Sequence, residues 1–186
     1  HAMRVDNCRI AISAEEPPVA DGSALTFFEL VRKAGIAEQE AQRRELVVSR
    51  PVRVDKDDSF VVAVPYDGFM ISFTSINPHK LIGVQYFDIE VNEDSFYKEI
   101  AQARTIAYEK EIEALRNMGL GLGGTIDNDE GWINPLRYDD ELVRHKILDI
   151  IGDLRLAGLV KGHFIAVKSG HALNTAMAKL LLKEFK

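Results

Sequence analysis

Leu25, Phe28, Val31 and Ala34 recur at the spacing of one helix face, and Gly35 ends the run. Asp21-Gly22-Ser23 ahead of it marks a turn and a helix entry. Before that, Cys8-Arg9-Ile10-Ala11-Ile12-Ser13 alternates and stops at Glu15-Glu16-Pro17-Pro18, which predicts a strand over 8–13. Leu46-Val47-Val48 and Val52-Arg53-Val54 read as one extended segment around Pro51. Residues 60–64 and 69–74 are apolar runs separated by Pro65-Tyr66-Asp67-Gly68, which predicts a strand, a tight turn and a strand. A further strand over 84–91 completes a largely antiparallel meander from about 45 to 91.

Helical periodicity then takes over. Phe96, Ile100 and Ala103 share a face, with Asp94 or Ser95 able to cap, and a second helix is predicted over 109–118. Residues 119–131 are glycine-rich and acidic and read as a loop. Asp139-Asp140 opens a strong helix that ends at Gly158, a strand follows over 160–167, and Ser169-Gly170 turns into a last helix. Strands segregate from helices, so the class is α+β: a two-layer sandwich of antiparallel or mixed sheet with helices on one face.

Composition narrows the functional classes. The 186 residues carry 29 acidic and 23 basic side chains, a net charge of -6. That balance is no footprint of a general nucleic-acid binder. One cysteine, Cys8, excludes a disulfide framework and a cysteine-based zinc cluster, and it reads as a small core residue. No apolar run approaches a bilayer span and no signal-peptide pattern opens the chain, so a cytoplasmic location is expected. His1-Ala2 reads as a tag remnant ahead of Met3 and is set aside.

The helix from 139 carries the most informative polar row. His145 and Asp149 lie four residues apart and project from one face, and Asp153 extends the row by a turn. An imidazole and a carboxylate at this spacing can give zinc two ligands, and a third group can orient a histidine. The alternative is a solvated His–Asp face. Ile147, Leu148, Ile150 and Ile151 crowd its flanks, however, which suits the lining of a cleft. His171, at a helix start after Ser169-Gly170, suits general-acid or oxyanion work, with Asp153 as its carboxylate, or a structural helix-start role. Arg104-Thr105 could place a hydroxyl at a site. The 119–124 glycines lack the residues of a phosphate loop. His79 and His163 read as structural, and the apolar face of 25–34 as core.

Several segments together resemble the UDP-3-O-acyl-N-acetylglucosamine deacetylases, zinc enzymes of lipid A synthesis in Gram-negative bacteria. They are Arg144 to Asp153, Ser169 to Asn174, Ala103-Arg104-Thr105, Gly123 to Asn128, Leu136-Arg137-Tyr138 and Asp21 to Ala24, in the family's order. The resemblance implies two similar α+β domains. Residues 1–44 would be the C-terminal part of the first, and 45–186 a complete second domain with the zinc-ligand helix. It implies Zn2+ held by His145 and Asp149, His171 as the acid supported by Asp153, and Thr105 near the reacting acyl carbonyl. Lys146 would hold the sugar-nucleotide, and Lys168 would approach its phosphates. The substrate would be a UDP-linked acylated glucosamine that loses its N-acetyl group.

Three departures qualify that resemblance. The family's Glu-His motif would lie upstream of Met3, so this chain alone is expected to be inactive. The stretch from Asn128 to Leu136 looks short, and Ile106 stands where the family usually has Phe. The alternatives are a non-catalytic homologue or binding module for the UDP-sugar or acyl ligand, and an unrelated His/Asp metal hydrolase. Exposed first-domain surface is expected to favour a homodimer.

Overall fold

The computed structural model describes residues 1–108, 124–126 and 134–185. Helix α1 (Leu25–Ala34) precedes five strands: β1 (Glu45–Val47), β2 (Val52–Lys56), β3 (Ser59–Val64), β4 (Phe69–Ile76) and β5 (Val84–Glu90). Helix α2 (Glu93–Glu99) and the short strands β6 (Ile106–Tyr108) and β7 (Gly124–Ile126) follow. Helix α3 (Glu141–Leu154), a single 3-10 turn, strand β8 (Leu159–Val167) and helix α4 (His171–Phe185) complete the order.

The main sheet runs β2-β3-β8-β4-β5, with β1 also on β8, and β6 pairs with β7 in parallel. The sheet is mixed. β8 is antiparallel to β3 but parallel to β4 and β1. The hairpin expected across residues 65–68 therefore does not form, because β8 lies between β3 and β4. A contiguous apolar run names a buried strand but not its neighbour. Gly162 allows the close approach: a Cβ there would sit 2.8 Å from Val48 Cγ2. The actual tight hairpin joins β2 to β3, where Lys56 pairs with Ser59 and Asp57 takes φ 55.

One sheet face is apolar and buried through Val61, Ala63, Ile71, Phe73, Phe164 and Ala166. Against it pack Val143, Ile147, Ile150, Ile151 and Leu154 of α3, and Met177, Ala178 and Leu181 of α4. On the opposite face Val84 and Tyr86 stand exposed. This is the expected α+β layering, with helices on one side.

Some local expectations change. Residues 8–13 are exposed and form no strand, and Cys8 is exposed rather than in the core. Alternation makes a strand only when a partner strand supplies the ladder, and none among the described residues does. In α1 only Phe28 is buried, stacking on Phe96, while Leu30 and Val31 face outward. Asn92, rather than Asp94 or Ser95, caps α2 in a capping box closed by Ser95. The helix expected over 109–118 lies outside the described residues. So does the loop expected over 119–131, apart from 124–126, which form β7.

Candidate functional site

A cleft of about 550 Å³ opens between the 17–27 segment and one wall of α3. His145, Leu148, Asp149, Gly152 and Asp153 line that wall, and Thr105 and His171 close it. The facing side is apolar, from Pro17, Pro18, Val19, Ala24 and Phe27. The polar row on α3 is a cleft lining because its neighbours Val143, Ile147 and Ile150 are pinned in the core.

His145 Nδ1 donates to the Ala103 carbonyl at 3.1 Å, and its Nε2 lies 3.4 Å from Asp149 Oδ1. Burial pulls the His145 imidazole below its ordinary range, against the opposing charge of Asp149 and the Ala103 hydrogen bond. With Nδ1 tied to backbone, Nε2 is the ring nitrogen left available to a ligand. Lys146 Nζ donates to Asp149 Oδ2 at 2.7 Å. Among the described residues no group of three or more His, Cys, Asp or Glu converges on one metal position. His145 and Asp149 nevertheless fit as two donors of a zinc ion: one imidazole and one carboxylate, adjacent and both only 12% exposed.

One turn along, His171 Nδ1 donates to Asp153 Oδ2 at 2.9 Å. His171 is the first residue of α4, on the strand-to-helix turn that Ser169-Gly170 makes. Thr105 is held by its backbone N–H to the Gly22 carbonyl at 3.0 Å. The structure thus brings His145, Asp149, Asp153, His171 and Thr105 to one cavity. It does not bring Lys168 there. That residue has φ 51 and donates to Asp58 in the β2–β3 hairpin. Lys146 adjoins the wall through Asp149. His79 sits in the 77–83 turn, and His163 pairs with Ser72 across the sheet at 2.8 Å.

A second group of residues lies behind the cleft lining, joined by contacts between segments far apart in the chain. Glu141 is fully buried and accepts from Arg104 N, Nε and Nη2 and from Arg137 N. Burial pushes its carboxyl upward, but these hydrogen bonds together hold it below the usual range. Arg137 also reaches Asp21 at 2.6 Å and the Gln102 carbonyl at 3.0 Å. Residues 21–23, 102–105 and 137–141 are therefore knitted into one frame. That frame sets both the Ala103 carbonyl behind His145 and the backbone of Thr105. From sequence, Glu141 was one acid in a helix's first turn; only its invisible partners distinguish it.

Residues 1–183 match the family model described as LpxC: UDP-3-O-acyl N-acetylglycosamine deacetylase. The UDP-3-O-acyl-N-acetylglucosamine deacetylase of Anaeromyxobacter dehalogenans is 43% identical over 99% of this chain and 62% of its own length. That of Nitratidesulfovibrio vulgaris is 42% identical over 96% of this chain and 60% of its own. That of Alcanivorax borkumensis is 43% identical over 98% and 63%. The chain thus spans a little over three-fifths of the length of these relatives, and throughout that span it belongs to the UDP-3-O-acyl N-acetylglycosamine deacetylase family.

Proposed function

We propose that this chain furnishes one wall of the active site of a zinc-dependent deacetylase of lipid A biosynthesis. Its substrate would be UDP-3-O-acyl-N-acetylglucosamine, which would release acetate from its amide. The observation that carries the reading is the convergence of His145, Asp149, Asp153, His171 and Thr105 on one cleft. The family relationship supplies the substrate class.

His145 and Asp149 would hold zinc, which when bound supplies Lewis-acid polarisation of a carbonyl and a water of lowered pKa. The Ala103 carbonyl holds the His145 ring through Nδ1, so that Nε2 would be the atom offered to the metal. Lys146 neutralises Asp149 on its other oxygen and extends toward the sugar-nucleotide. His171, its Nδ1–H engaged by Asp153, presents Nε2 to the cleft; once Nε2 has taken up a proton, the imidazolium gives that proton to the departing amine or hydrogen-bonds the developing oxyanion through it. Thr105 would offer its hydroxyl beside the reacting carbonyl, across the cleft from its apolar side. Lys168, just ahead of the His171 turn, is proposed as an outer phosphate contact.

We also propose a division of the chain into 1–44 and 45–186. Every strand of the main sheet falls in the second part, which supports it. A cytoplasmic location is part of the same reading, and among the described residues no helix is long and apolar enough to cross a membrane. Exposed Ile10, Leu30 and Ile36 support self-association through the first part, which sedimentation would read as a dimer.

Zinc titration of this chain tests the metal assignment. His145→Ala and Asp149→Ala should each lower affinity at least about tenfold, and unchanged affinity in both would sink the assignment. For the reaction, this chain can replace the matching part of the Anaeromyxobacter dehalogenans relative. Acetate release by the chimaera should fall about 10²- to 10⁴-fold with His171→Ala. A folded, zinc-loaded chimaera that releases no acetate points instead to a binding module.

A further inference from the structure

Two buried polar side chains in the last turn-and-helix segment have no part in the reaction just described. Asn174 is fully buried and Ser169 is 6% exposed. Asn174 Nδ2 donates to Asp153 Oδ2 at 2.9 Å, the same oxygen that receives His171 Nδ1 at 2.9 Å. Ser169 Oγ donates in turn to Asn174 Oδ1 at 2.8 Å.

The direction of this chain follows from charge. A flipped Asn174 amide would set its carbonyl oxygen against the Asp153 carboxylate, so the amide nitrogen must face Asp153. Its oxygen is then left for the Ser169 hydroxyl. A carboxylate turns readily about its terminal torsion, and something must stop it. His171 cannot, because its imidazole is 71% exposed and is itself the group to be oriented. A fully buried amide, locked by packing and by Ser169, can.

We propose that Asn174 is a positioning residue for His171. It anchors the Asp153 carboxylate, which then holds His171 as the Nδ1–H tautomer and leaves Nε2 free for proton transfer. Ser169 sets the amide. The purpose of this relay rests on the deacetylase reading, while the relay itself is a statement about ring orientation.

The test is nitrogen–proton correlation NMR of the neutral histidine rings in the 186-residue chain. Asn174→Leu combined with Ser169→Ala removes amide and hydroxyl together, so neither is left without the other; Asp153 keeps His171 Nδ1 as a donor and the fold should persist. The Nδ1–H to Nε2–H ratio of His171 should fall at least about threefold. His145, held by Ala103, should keep its tautomer. Ser169→Ala alone should shift His171 in the same direction by less. A wild-type His171 ratio in either folded variant overturns the relay. The deacetylase reading fails by a different result, namely a chimaera without acetate release, whatever the tautomer ratio.

Discussion

Removing the Glu141 carboxylate should cost far more than removing any surface charge. Glu141→Ala deletes the acceptor of two backbone N–H groups and of Arg104 Nε and Nη2, all at 2.7 to 3.1 Å. Arg104, its side chain only 10% exposed, keeps the Pro135 carbonyl but loses its counter-charge. Breaking a buried ion pair from one side costs about 3–5 kcal/mol, because the remaining charge stays desolvated. With a urea slope of about 2 kcal/mol/M, the unfolding midpoint should drop by about 1.5–2.5 M. Asp55→Ala removes a pair whose side chains are 54% and 59% exposed, and should stay within about 0.5 kcal/mol. The carboxyl of Glu141 sits below its ordinary range when folded. Its contribution is therefore fully present above the unfolded value of about 4.3 and is lost as pH falls through the lower folded value. Glu141→Gln should accordingly flatten the loss of stability below about pH 4.3. Urea unfolding monitored by circular dichroism at several pH values reads both effects. A Glu141→Ala loss under about 1 kcal/mol, the range of a surface pair, would refute the account of this residue as the frame's anchor.

Glycines in the two layers should respond in opposite directions. Gly162→Ala drives a Cβ to 2.8 Å from Val48 Cγ2 in the central strand and should cost about 1–3 kcal/mol, measured by urea unfolding. Gly152, inside α3, has nothing within 4 Å of an added Cβ, so Gly152→Ala should stabilise by about 0.5–1 kcal/mol. Its methyl would enter the cleft, so on the proposed deacetylase reading substrate affinity should weaken while zinc affinity holds; a destabilised Gly152→Ala chain would contradict the helix geometry. Asn92→Ala removes the capping box of α2 and should lower stability by about 1 kcal/mol, read as a fall in melting temperature. On the proposed reading, Lys168→Ala, which frees Asp58 in an exposed hairpin, should leave stability within about 0.5 kcal/mol and weaken binding of UDP; unchanged UDP binding would end its proposed role as an outer phosphate contact.

The local elements were largely readable from the chain itself. The row His145, Asp149, Asp153 follows from helical periodicity, which is a property of neighbours in sequence. The same is true of the turn at Ser169-Gly170 and the helix it starts. The layer class followed as well, because segregated strands and helices must bury their apolar faces on each other. Tertiary structure decided what depends on contacts far apart in the chain. It placed β8 between β3 and β4, since pairing partners are chosen by burial across the whole sheet and not by the run of residues between turns. It left 8–13 unpaired and Cys8 exposed. It turned Glu141 and Arg104 into a buried pair 37 residues apart, and it aimed Asn174 at a carboxylate 21 residues upstream. Spacing can propose which side chains share a face, but burial and a partner's charge decide which of them are held still. Those two quantities exist only once the chain has closed on itself.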